Sequence, residues 1–351
     1  MKKLKIKIDT SPLSTGHAIR GIGVYTRLLT KYLEKIPSIR ILKTHDFKEK
    51  SDLIHYPYFD LYFNSLPLFS KQKSIVTIHD LIPLKFPDKY KPGKKGSLIF
   101  KKQKLALRRI DAIVTDSQAS KTDIVNLLDV SAEKVHVVYL AGNPNIKKKN
   151  KKEVDKIKIK YSLPKKYILY VGDINYNKNI PQLIKATRLL PEDVCLVCVG
   201  KNFRPQTIPE WQAIESQIAL SNVEEKVKFL TQITGDADHE LSALYTGALA
   251  YVQASLYEGF GLPVLEAMQC RTPVVCSKNS SLIEVGGKHV VFSKFDYESL
   301  AENINHLLSW SKTKRENWAR DAYKWSQKFS WEKTAKNTIK VYKKVLLNHD
   351  S

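Results

Sequence analysis

Cysteine is scarce in this sequence, with four residues among 351. Four cysteines cannot form enough disulfide bonds to stabilise a chain of this length, which excludes a small disulfide scaffold. Cys195 and Cys198 form a CxxC motif, but they lie in an apolar stretch typical of a buried strand. Side chains three residues apart on a strand point to opposite faces. We therefore expect neither a shared metal ion nor a disulfide, and a reducing, cytoplasmic location.

Long hydrophobic runs are also missing, and none approaches the roughly 18 residues of a membrane span. The first nine residues alternate basic and apolar side chains, which is the period of a strand and not the continuous apolar core of a signal peptide. Hydrophobic residues make up 43% and charged residues 26%, which excludes a disordered or fibrous chain. The composition favours a globular protein without an export signal.

Acidic residues are few beside basic ones, 35 against 58, for a formal net charge of +23. The imbalance lies in residues 1–160, which have 34 basic and 15 acidic residues, whereas residues 161–351 have 24 and 20. Such a field favours an anionic partner for the N-terminal half: a membrane surface, nucleic acid or an acidic glycan. No aromatic-basic recognition motif accompanies the charge, so we expect no nucleic-acid partner.

Short apolar strands alternate with helical stretches, the pattern of an α/β fold, and the length predicts two domains. The predicted strands are Leu4–Ile8, Ser74–Ile78, Ala112–Thr115, Val135–Tyr139, Tyr167–Val171, Val194–Val199, Val227–Leu230 and Ala248–Ala254. Helices are predicted at Val24–Lys35 and from Pro181. Each half opens with a strand, a glycine turn and a helix, which predicts two doubly wound domains.

The lysine-rich stretch Lys147–Lys160 has no evident apolar face, so we interpret it as the interdomain linker. The predicted domains are residues 1–155 and 156–329. Residues 330–351 are predicted to form an amphipathic helix with Ser330 as its N-cap.

The segment Ala254–Met268 combines a strand end, a glycine loop and a helix start. Pro263 occupies the first-turn position that proline favours, and Gly259 and Gly261 let the backbone approach a ligand closely. The helix start offers free N–H groups and a positive dipole end, which outline a diphosphate site. Glu266 can accept hydrogen bonds from a vicinal diol such as a ribose. On spacing alone, a tight turn with a carboxylate that complements the helix dipole is an equally simple interpretation.

Glu258 and Glu266 match the E-x7-E signature of retaining glycosyltransferases of family 4, which have the GT-B fold, and the residues between them resemble the family consensus closely. Other segments resemble this family in order along the chain: Asp9–Leu13, Gly21–Tyr25, Thr77–Pro83, Thr115–Ser117, Tyr170–Gly172, Lys178–Asn179 and Phe329–Glu332. The resemblance implies two Rossmann-like domains that face each other across a cleft. It also implies that the C-terminal helix returns to the first, acceptor-side domain.

The resemblance implies a role for each matching residue. Glu266 would bind the ribose of a nucleotide, Glu258 would contact the donor sugar, and Lys178 would neutralise the departing diphosphate. Breaking the C–O bond places negative charge on that leaving group, which a nearby ammonium stabilises. The other donor-binding residues implied are Gly259, Phe260, Gly261, Leu262, Gly23, Gly172 and Asn179.

His79 follows a strand, at the edge where open α/β sheets place ligand contacts. A His-Asp pair in that place is more often structural, but the resemblance puts this histidine near the reacting sugar, and we count it as catalytic. Gly21 and Gly23 lack the third glycine of a dinucleotide fingerprint, since Thr26 stands there, which argues against NAD. The resemblance implies that they form a loop near the diphosphate and the acceptor.

Two residues depart from the family pattern. Asp173 stands where many members have arginine, and Asn177 stands where a cation often precedes the Lys-Asn pair. Neutralisation of the phosphates would then depend on Lys178 alone or on a residue of the other domain, for which Arg20 is a candidate.

The loop Thr231–His239, whose family counterpart borders the nucleotide base, is atypical, so the base stays open. Its Asp236 and Asp238 form an Asp-x-Asp pair, which we interpret as a solvated turn and not as a metal clamp. We expect no metal and no cofactor besides the nucleotide-sugar substrate.

The segment Lys89–Arg109 has nine basic residues and no acidic one, with apolar residues such as Leu98 and Leu105 between them. A basic helix of this kind is typical of an element that binds an anionic membrane surface, although a solvated basic face is an equally simple interpretation.

The sequence thus predicts a cytoplasmic, metal-independent, retaining hexosyltransferase that uses a nucleotide sugar and a glycan or lipid-linked acceptor. The basic helix adds the expectation of a peripheral position on the inner membrane surface. The first donor choice is GDP-mannose, because the N-terminal motifs resemble bacterial mannosyltransferases of surface-polysaccharide assembly. The alternatives are a UDP- or dTDP-hexose donor, or a noncatalytic partner subunit of the same fold.

Overall fold

The computed structural model describes residues 3–14, 21–44, 50–233 and 237–347. The chain divides into two compact units: a first unit of residues 1–140 with 330–351, and a second unit of residues 141–329. Each unit has its own parallel sheet.

The first unit is built on strands β1 to β6. They are β1 Leu4–Asp9, β2 Ile39–Thr44, β3 Leu53–Tyr56, β4 Ser74–Thr77, β5 Ala112–Thr115 and β6 Val135–Val137. Its helices up to that point are α1 Gly21–Glu34, α2 Ile82–Lys85, α3 Gly93–Arg108 and α4 Gln118–Leu128. Within the described residues the strand order is β2-β1-β3-β4-β5-β6, with every neighbouring pair parallel.

The central strands β3, β4 and β5 are buried at every residue. A strand with both faces covered is what an apolar run without alternation predicts for a parallel sheet. Polar residues that follow these strands therefore emerge together at the carboxyl edge of the sheet, where His79 and Asp116 lie.

The second unit is built on strands β7 to β12. They are β7 Lys166–Val171, β8 Val194–Val199, β9 Val227–Leu230, β10 Ala250–Gln253, β11 Val274–Ser277 and β12 Val291–Ser293. Its helices are α5 Lys151–Lys160, α6 Ile180–Thr187, α7 Pro209–Ser221, α8 Asp238–Gly247, α9 Leu262–Gln269, α10 Ser280–Gly286, α11 Tyr297–Ser309 and α12 Lys312–Ser326.

In the described part of the second unit the parallel strand order is β12-β11-β10-β7-β8-β9. The chain runs outward from β7 to β9 and then restarts on the other side of β7 with β10. This is the doubly wound order, and its switch point lies between β7 and β10. Open sheets of this kind bind ligands beyond the carboxyl ends of those two strands.

The prediction of a linker at Lys147–Lys160 is wrong. Residues from Lys151 onward form α5, which packs on α8 inside the second unit and buries Val154 and Ile157. Asn150 caps this helix through a reciprocal capping box with Glu153. Two apolar residues one turn apart were enough to dock a helix whose other side chains are mostly lysine, and the predicted boundary at 155 falls inside it.

The C-terminal helix α13 (Trp331–Leu347) belongs to the first unit, as predicted, and packs on α1. Ser330 accepts a hydrogen bond from the backbone N–H of Lys333 (3.3 Å), which confirms it as the N-cap. Tyr342 of this helix hydrogen-bonds His55 of β3 (2.6 Å) in the buried core.

Candidate active site

Two glycine turns meet beyond the carboxyl ends of β7 and β8. A Cβ on Gly200 would lie 2.1 Å from the carbonyl oxygen of Gly172, so only glycine allows this approach. The backbone N–H of Gly172 donates to Val199 (2.9 Å), which extends the pairing of the two strands into the turns. Gly172 directly follows β7, one of the two strands that flank the switch point, and its role in donor binding stays a prediction.

The predicted glycine loop after β10 leads directly into α9. Gly261 is the N-cap residue with a φ of +102°, and a Cβ there would lie 2.8 Å from Leu282 Cδ2. Leu262 and Pro263 open the helix, so the helix start is confirmed. Phe260 is buried with its ring against Phe329, at 6.0 Å between centroids, and this contact anchors the loop.

An ion pair joins the two predicted catalytic residues of the second unit. Lys178 Nζ lies 2.8 Å from Glu258 Oε1 and 2.9 Å from Glu258 Oε2. Glu258 is buried and the lysine side chain is 19% exposed. An ammonium carries three N–H groups and the carboxylate takes two of them, so the pair can still donate to an anion. The structure brings both residues to the switch point.

The carboxylate of Glu258 is held by further buried side chains that the sequence did not single out. Glu258 Oε1 accepts from Gln253 Nε2 (2.7 Å) and from Ser255 Oγ (2.6 Å). Gln253 and Ser255 are both buried, at the end of β10 and just after it. The presence of Gln253 in the otherwise apolar predicted strand Ala248–Ala254 was the one feature of the sequence that could have indicated a buried polar contact.

Glu266 lies on α9 and its carboxylate accepts from the Tyr245 hydroxyl (3.1 Å). Burial raises the pKa of Glu266 to about 7, against the opposing effects of the Tyr245 hydroxyl and the Asn143 backbone N–H; the negative charge of Asp238 adds to the rise. Glu266 therefore exchanges its proton near neutrality, and a carboxylate that gains hydrogen-bond donors from a ligand would ionise.

Asp238 holds the segment that approaches Glu266. Its carboxylate oxygens accept from Asn143 Nδ2 (2.8 Å) and from Asn145 Nδ2 (2.7 Å). Both asparagines lie a few residues after Leu140, where the chain passes from the first unit into the second, and both belong to the second unit. Asp238 therefore has a structural role, while Asp236, its predicted partner in the Asp-x-Asp pair, lies outside the described residues.

The two residues that depart from the family pattern have structural contacts. Asp173 Oδ1 accepts from Asn202 Nδ2 (2.6 Å) and from the N–H of Ile174 (2.9 Å). Asn177 is buried and donates to the carbonyl of Tyr257 (2.9 Å), which fixes the loop that carries Glu258. An asparagine in place of a cation thus contributes a loop contact and no positive charge.

Asn179, predicted to bind the donor, has a left-handed backbone with a φ of 58° and precedes α6. Its Nδ2 donates to the carbonyl of Phe295 (2.9 Å). This contact assigns the Asn179 side chain a structural role, and its predicted part in donor binding stays a prediction.

In the first unit, His79 pairs with a residue of the next strand's loop. His79 Nδ1 lies 2.6 Å from Asp116 Oδ2, and Asp116 is buried. The ring of Tyr25 meets His79 edge-on at 4.7 Å between centroids. The sequence assigned no role to Asp116, which lies within the family-like segment Thr115–Ser117. The parallel register of β4 with β5 brings it beside His79.

Burial on its own lowers the pKa of the His79 imidazole. The charge and hydrogen bond of Asp116, with smaller effects from Asp80 and the carbonyl of Pro57, outweigh burial and raise this pKa above its ordinary value. His79 therefore holds a second proton more firmly than a free histidine, as a group that offers positive charge or a proton requires.

The predicted loop at Gly21 and Gly23 is wrong. Gly21 is the first residue of α1, and Gly23 lies buried in its first turn, so the helix begins three residues before the predicted start at Val24. Glycine is permitted in a first turn, where the helix N–H groups are still available to other acceptors. Arg20, the candidate cation beside them, lies outside the described residues.

The basic segment of the first unit forms α3, as predicted. Its lysines 94, 95, 101 and 102 are exposed, and so are Leu98 (70%) and Leu105 (55%). Ala106 and Leu107 attach the helix to the core below. The solvent side of α3 therefore combines positive charge with apolar side chains.

In the part of the chain that the structure describes, no helix has the length and apolar character to cross a membrane. In the same part of the chain, no three His, Cys, Asp or Glu side chains are grouped so as to hold a metal ion. The expectation of a metal-independent reaction stays a prediction.

Comparison with known families covers most of the chain. Residues 151–325 match the family model described as Glycosyl transferases group 1. Residues 9–143 match the family model described as Glycosyltransferase Family 4.

Among curated proteins, O-antigen chain mannosyltransferase B of Escherichia coli is 29% identical over 279 residues, which are 78% of this chain and 70% of that protein. Serotype-specific mannosyltransferase WbdA of Escherichia coli is 31% identical over 281 residues, 78% of this chain but 34% of that protein. Among solved structures, sucrose-phosphate synthase from Thermosynechococcus elongatus has a TM-score of 0.75 at 19% identity, covering 99% of this chain and 100% of that one. This likeness establishes the fold.

Proposed function

The chain is a glycosyltransferase and belongs to glycosyltransferase family 4 of the GT-B fold, and we propose that it moves a hexose from a nucleotide sugar to a glycan or lipid-linked acceptor, with retention at the anomeric carbon. The first choice of donor is GDP-mannose, and the product would be a cell-surface polysaccharide. Two relatives carry mannosyltransferase names, which supports mannose, although the match spans only about a third of WbdA.

One observation carries the proposal: Lys178, Glu258 and Glu266 surround a glycine loop and a helix start at the switch point of the second unit. The helix start suits a diphosphate, the half-buried Glu266 suits a ribose diol, and the Lys178–Glu258 pair offers one positive and one negative group to the atoms between sugar and phosphate. Each part of a nucleotide sugar has a chemical counterpart here.

The proposed step is a front-side displacement. The bond between the anomeric carbon and the diphosphate oxygen breaks, the acceptor hydroxyl oxygen bonds to the same face of that carbon, and the hydroxyl proton passes to the departing phosphate. No protein nucleophile is needed, so catalysis rests on positioning and on stabilising the charge of the diphosphate. Lys178 supplies that stabilisation, and Glu258 orients both the lysine and the sugar hydroxyls.

The acceptor is assigned to the first unit. A cavity of about 660 Å³ there is lined in part by Asp9 and Tyr56, which end β1 and β3, and by Lys71 and Lys102. In this sheet β1 and β3 flank the point where the strand order reverses. Two lysines beside a carboxylate and a phenol suit an acceptor that carries both hydroxyl groups and negative charge.

We further assign the exposed side of α3 to an anionic membrane surface. Its lysines provide electrostatic attraction and Leu98 and Leu105 provide apolar contact, the two components by which peripheral helices bind. This attachment would bring the acceptor-side unit to a lipid-linked acceptor and would make the protein peripheral on the inner membrane surface.

A donor screen tests the function. The melting temperature is measured with GDP, UDP, ADP, dTDP and their sugars, since a ligand that binds the folded state raises it. The best donor is then followed for release of free sugar, and the anomeric configuration of the transferred sugar is read by NMR. We expect GDP-mannose to give the largest shift, with slow hydrolysis and retention.

Other outcomes assign other functions. A larger shift with a UDP or dTDP sugar replaces the donor. Tight nucleotide binding without any hydrolysis or transfer indicates a noncatalytic subunit, for which the carboxylate of Asp173 near the predicted phosphate position is the favouring observation. Inversion at the anomeric carbon contradicts the retaining assignment.

A further inference from the structure

We infer that Gln253 is a positioning residue of the donor site, which fixes the Glu258 carboxylate and through it the direction of the Lys178 ammonium. The inference rests on the proposed function of the second unit. It concerns a buried amide that does not itself reach the predicted substrate atoms and acts through its neighbour.

The hydrogen bonds of Gln253 settle which way its amide faces. Its Nε2 donates to Glu258 Oε1 (2.7 Å) and to Ser255 Oγ (2.7 Å), while its Oε1 accepts from the Tyr251 hydroxyl. A reversed amide would set its carbonyl oxygen against a carboxylate and would leave the Tyr251 hydroxyl only the long contact to the carbonyl of Val171 (3.5 Å) as an acceptor. The amide therefore presents both of its N–H groups to the Glu258 side.

Glu258 Oε1 is consequently surrounded by three donors, from Gln253, Ser255 and Lys178. Glu258 Oε2 accepts from the same lysine (2.9 Å). A carboxylate with one oxygen fixed in this way cannot rotate about its terminal bond without losing buried hydrogen bonds. The position of the ammonium relative to the switch point is then set by Glu258 and not by the long lysine side chain.

The main chain around Glu258 is fixed independently. Its N–H donates to Ser280 Oγ (3.0 Å), and its carbonyl accepts from Ser281 Oγ (2.9 Å). Loss of the Gln253 side chain would therefore release the carboxylate while the loop stays in place. This separation makes the role of Gln253 testable.

The test compares Gln253→Met, which keeps the length of the side chain but has no donors, with wild type. Thr187→Val is the matched control, because Thr187 is also fully buried in the second unit and loses one hydrogen bond on substitution (Thr187 Oγ1 to the carbonyl of Leu183, 3.0 Å). Gln253→Glu serves as a second variant of nearly equal volume, whose carboxylate would repel Glu258. Thermal unfolding of all variants reports whether they fold.

Two quantities are measured. The first is the 15N–1H signal of the Lys178 ammonium in lysine-labelled protein, identified by its absence in Lys178→Ala. The second is kcat for donor hydrolysis or transfer, with the Kd of the nucleoside diphosphate measured separately. An ammonium held in a buried ion pair exchanges its protons slowly and gives an observable signal, whereas a mobile exposed one does not.

We expect Gln253→Met to broaden the Lys178 signal and to lower kcat at least tenfold, with the diphosphate Kd changed less than threefold, and Thr187→Val to change neither (~1.4 kcal/mol per tenfold). Gln253→Glu should lower kcat further. An unchanged Lys178 signal in folded Gln253→Met overturns the inference, and so does a loss of kcat that Thr187→Val reproduces. A sharp wild-type signal that Gln253→Met abolishes, in a protein with no transfer or hydrolysis, upholds the positioning role and contradicts the proposed function.

Discussion

The first unit, residues 1–140 with 330–351, has 31 basic and 15 acidic residues, whereas the second unit, residues 141–329, has 27 and 20. In the first unit the exposed lysines of α3 have no acidic residue within their segment. In the second unit the lysine of greatest interest, Lys178, is paired with a buried carboxylate. The two units thus use the same residue type for different purposes.

Charge that is exposed and unbalanced acts at long range and is weakened by salt, as an attraction to a surface would be. Charge that is buried and paired acts over a few ångströms and in a fixed direction, as the stabilisation of a leaving group requires. Composition therefore pointed to the first unit, while the proposed chemistry lies in the Lys178–Glu258 pair, which leaves no trace in the net charge. The predictions below test this division.

The largest effect is expected for Lys178→Ala. If the ammonium stabilises the departing diphosphate as proposed, its loss should lower kcat ~10²–10³-fold, with a smaller change in the KM for the donor. Steady-state kinetics measure both quantities. Lys185→Ala is the control, since Lys185 lies on α6 over the ring of Tyr297 and away from Glu258. A variant altered only in KM would move Lys178 out of the chemical step.

A set of four substitutions tests the other side of the comparison. Replacing lysines 94, 95, 101 and 102 with serine should lower binding to anionic vesicles about thirtyfold if half of them engage, at about 1 kcal/mol each, and leave nucleotide binding unchanged. Sedimentation with anionic and neutral vesicles measures it. Salt at about 0.5 M should release the wild type, since the Debye length is then roughly 4 Å.

The matched control removes the same charge from the second unit, where lysines 148, 151, 152 and 156 are also exposed. Under the proposed division this control still binds vesicles. Equal losses in the two quadruple variants would show that only total charge matters, and the attachment through α3 would be wrong.

Most elements and motifs that are continuous in the sequence could be predicted from it, whereas few contacts between residues distant in the sequence could. Strands β7, β8 and β10 and the helix start at Pro263 followed from apolar runs and a first-turn proline. The pairing of α13 with the first unit followed from the family resemblance. Strand β2 was not predicted, because Ile39–Thr44 mixes lysine and arginine with isoleucine at a sheet edge. Strands β3, β11 and β12 were not predicted either, and each is only three or four residues long.

The site shows the same limit. Glu258, Glu266 and Lys178 were found because they lie in recognisable motifs. Asp116 and Gln253 were not, because their roles depend on the register between neighbouring strands and on which buried polar groups share a carboxylate. Helix α5 was missed for a similar reason, since its docking depends on two apolar side chains among many lysines.

Glu266→Ala tests the ribose assignment within the second unit. A hydrogen bond from a ligand hydroxyl to a charged group is worth about 1.5 kcal/mol or more, so the Kd of the preferred nucleotide should rise about tenfold. Isothermal titration measures it. Glu215→Ala, an exposed position on α7, is the control. A folded Glu266→Ala protein with an unchanged Kd would contradict the assignment.

The stability of the second unit should also depend on pH through Glu266. Burial raises the pKa of Glu266 to about 7, above its ordinary value near 4.5. The folded state therefore binds this proton more tightly than the unfolded state, so the contribution of Glu266 to stability is complete below about pH 4.5 and is lost as the pH rises through 7.

Glu266→Gln has no proton to lose and escapes this penalty. Relative to wild type, we expect the free energy of unfolding of Glu266→Gln to increase between pH 5 and pH 8 by on the order of 2 kcal/mol in the second unit. The melting temperatures of the two proteins across this range measure the difference. The preferred nucleotide should shrink the gap at pH 8, because the hydroxyls of a ribose would add to the donors of the Tyr245 hydroxyl and the Asn143 backbone N–H and would favour the ionised carboxylate. If the melting temperatures of the two proteins instead change with pH in the same way, the burial of Glu266 carries no such cost, and the proposed donor site causes no pH-dependent loss of stability in the second unit.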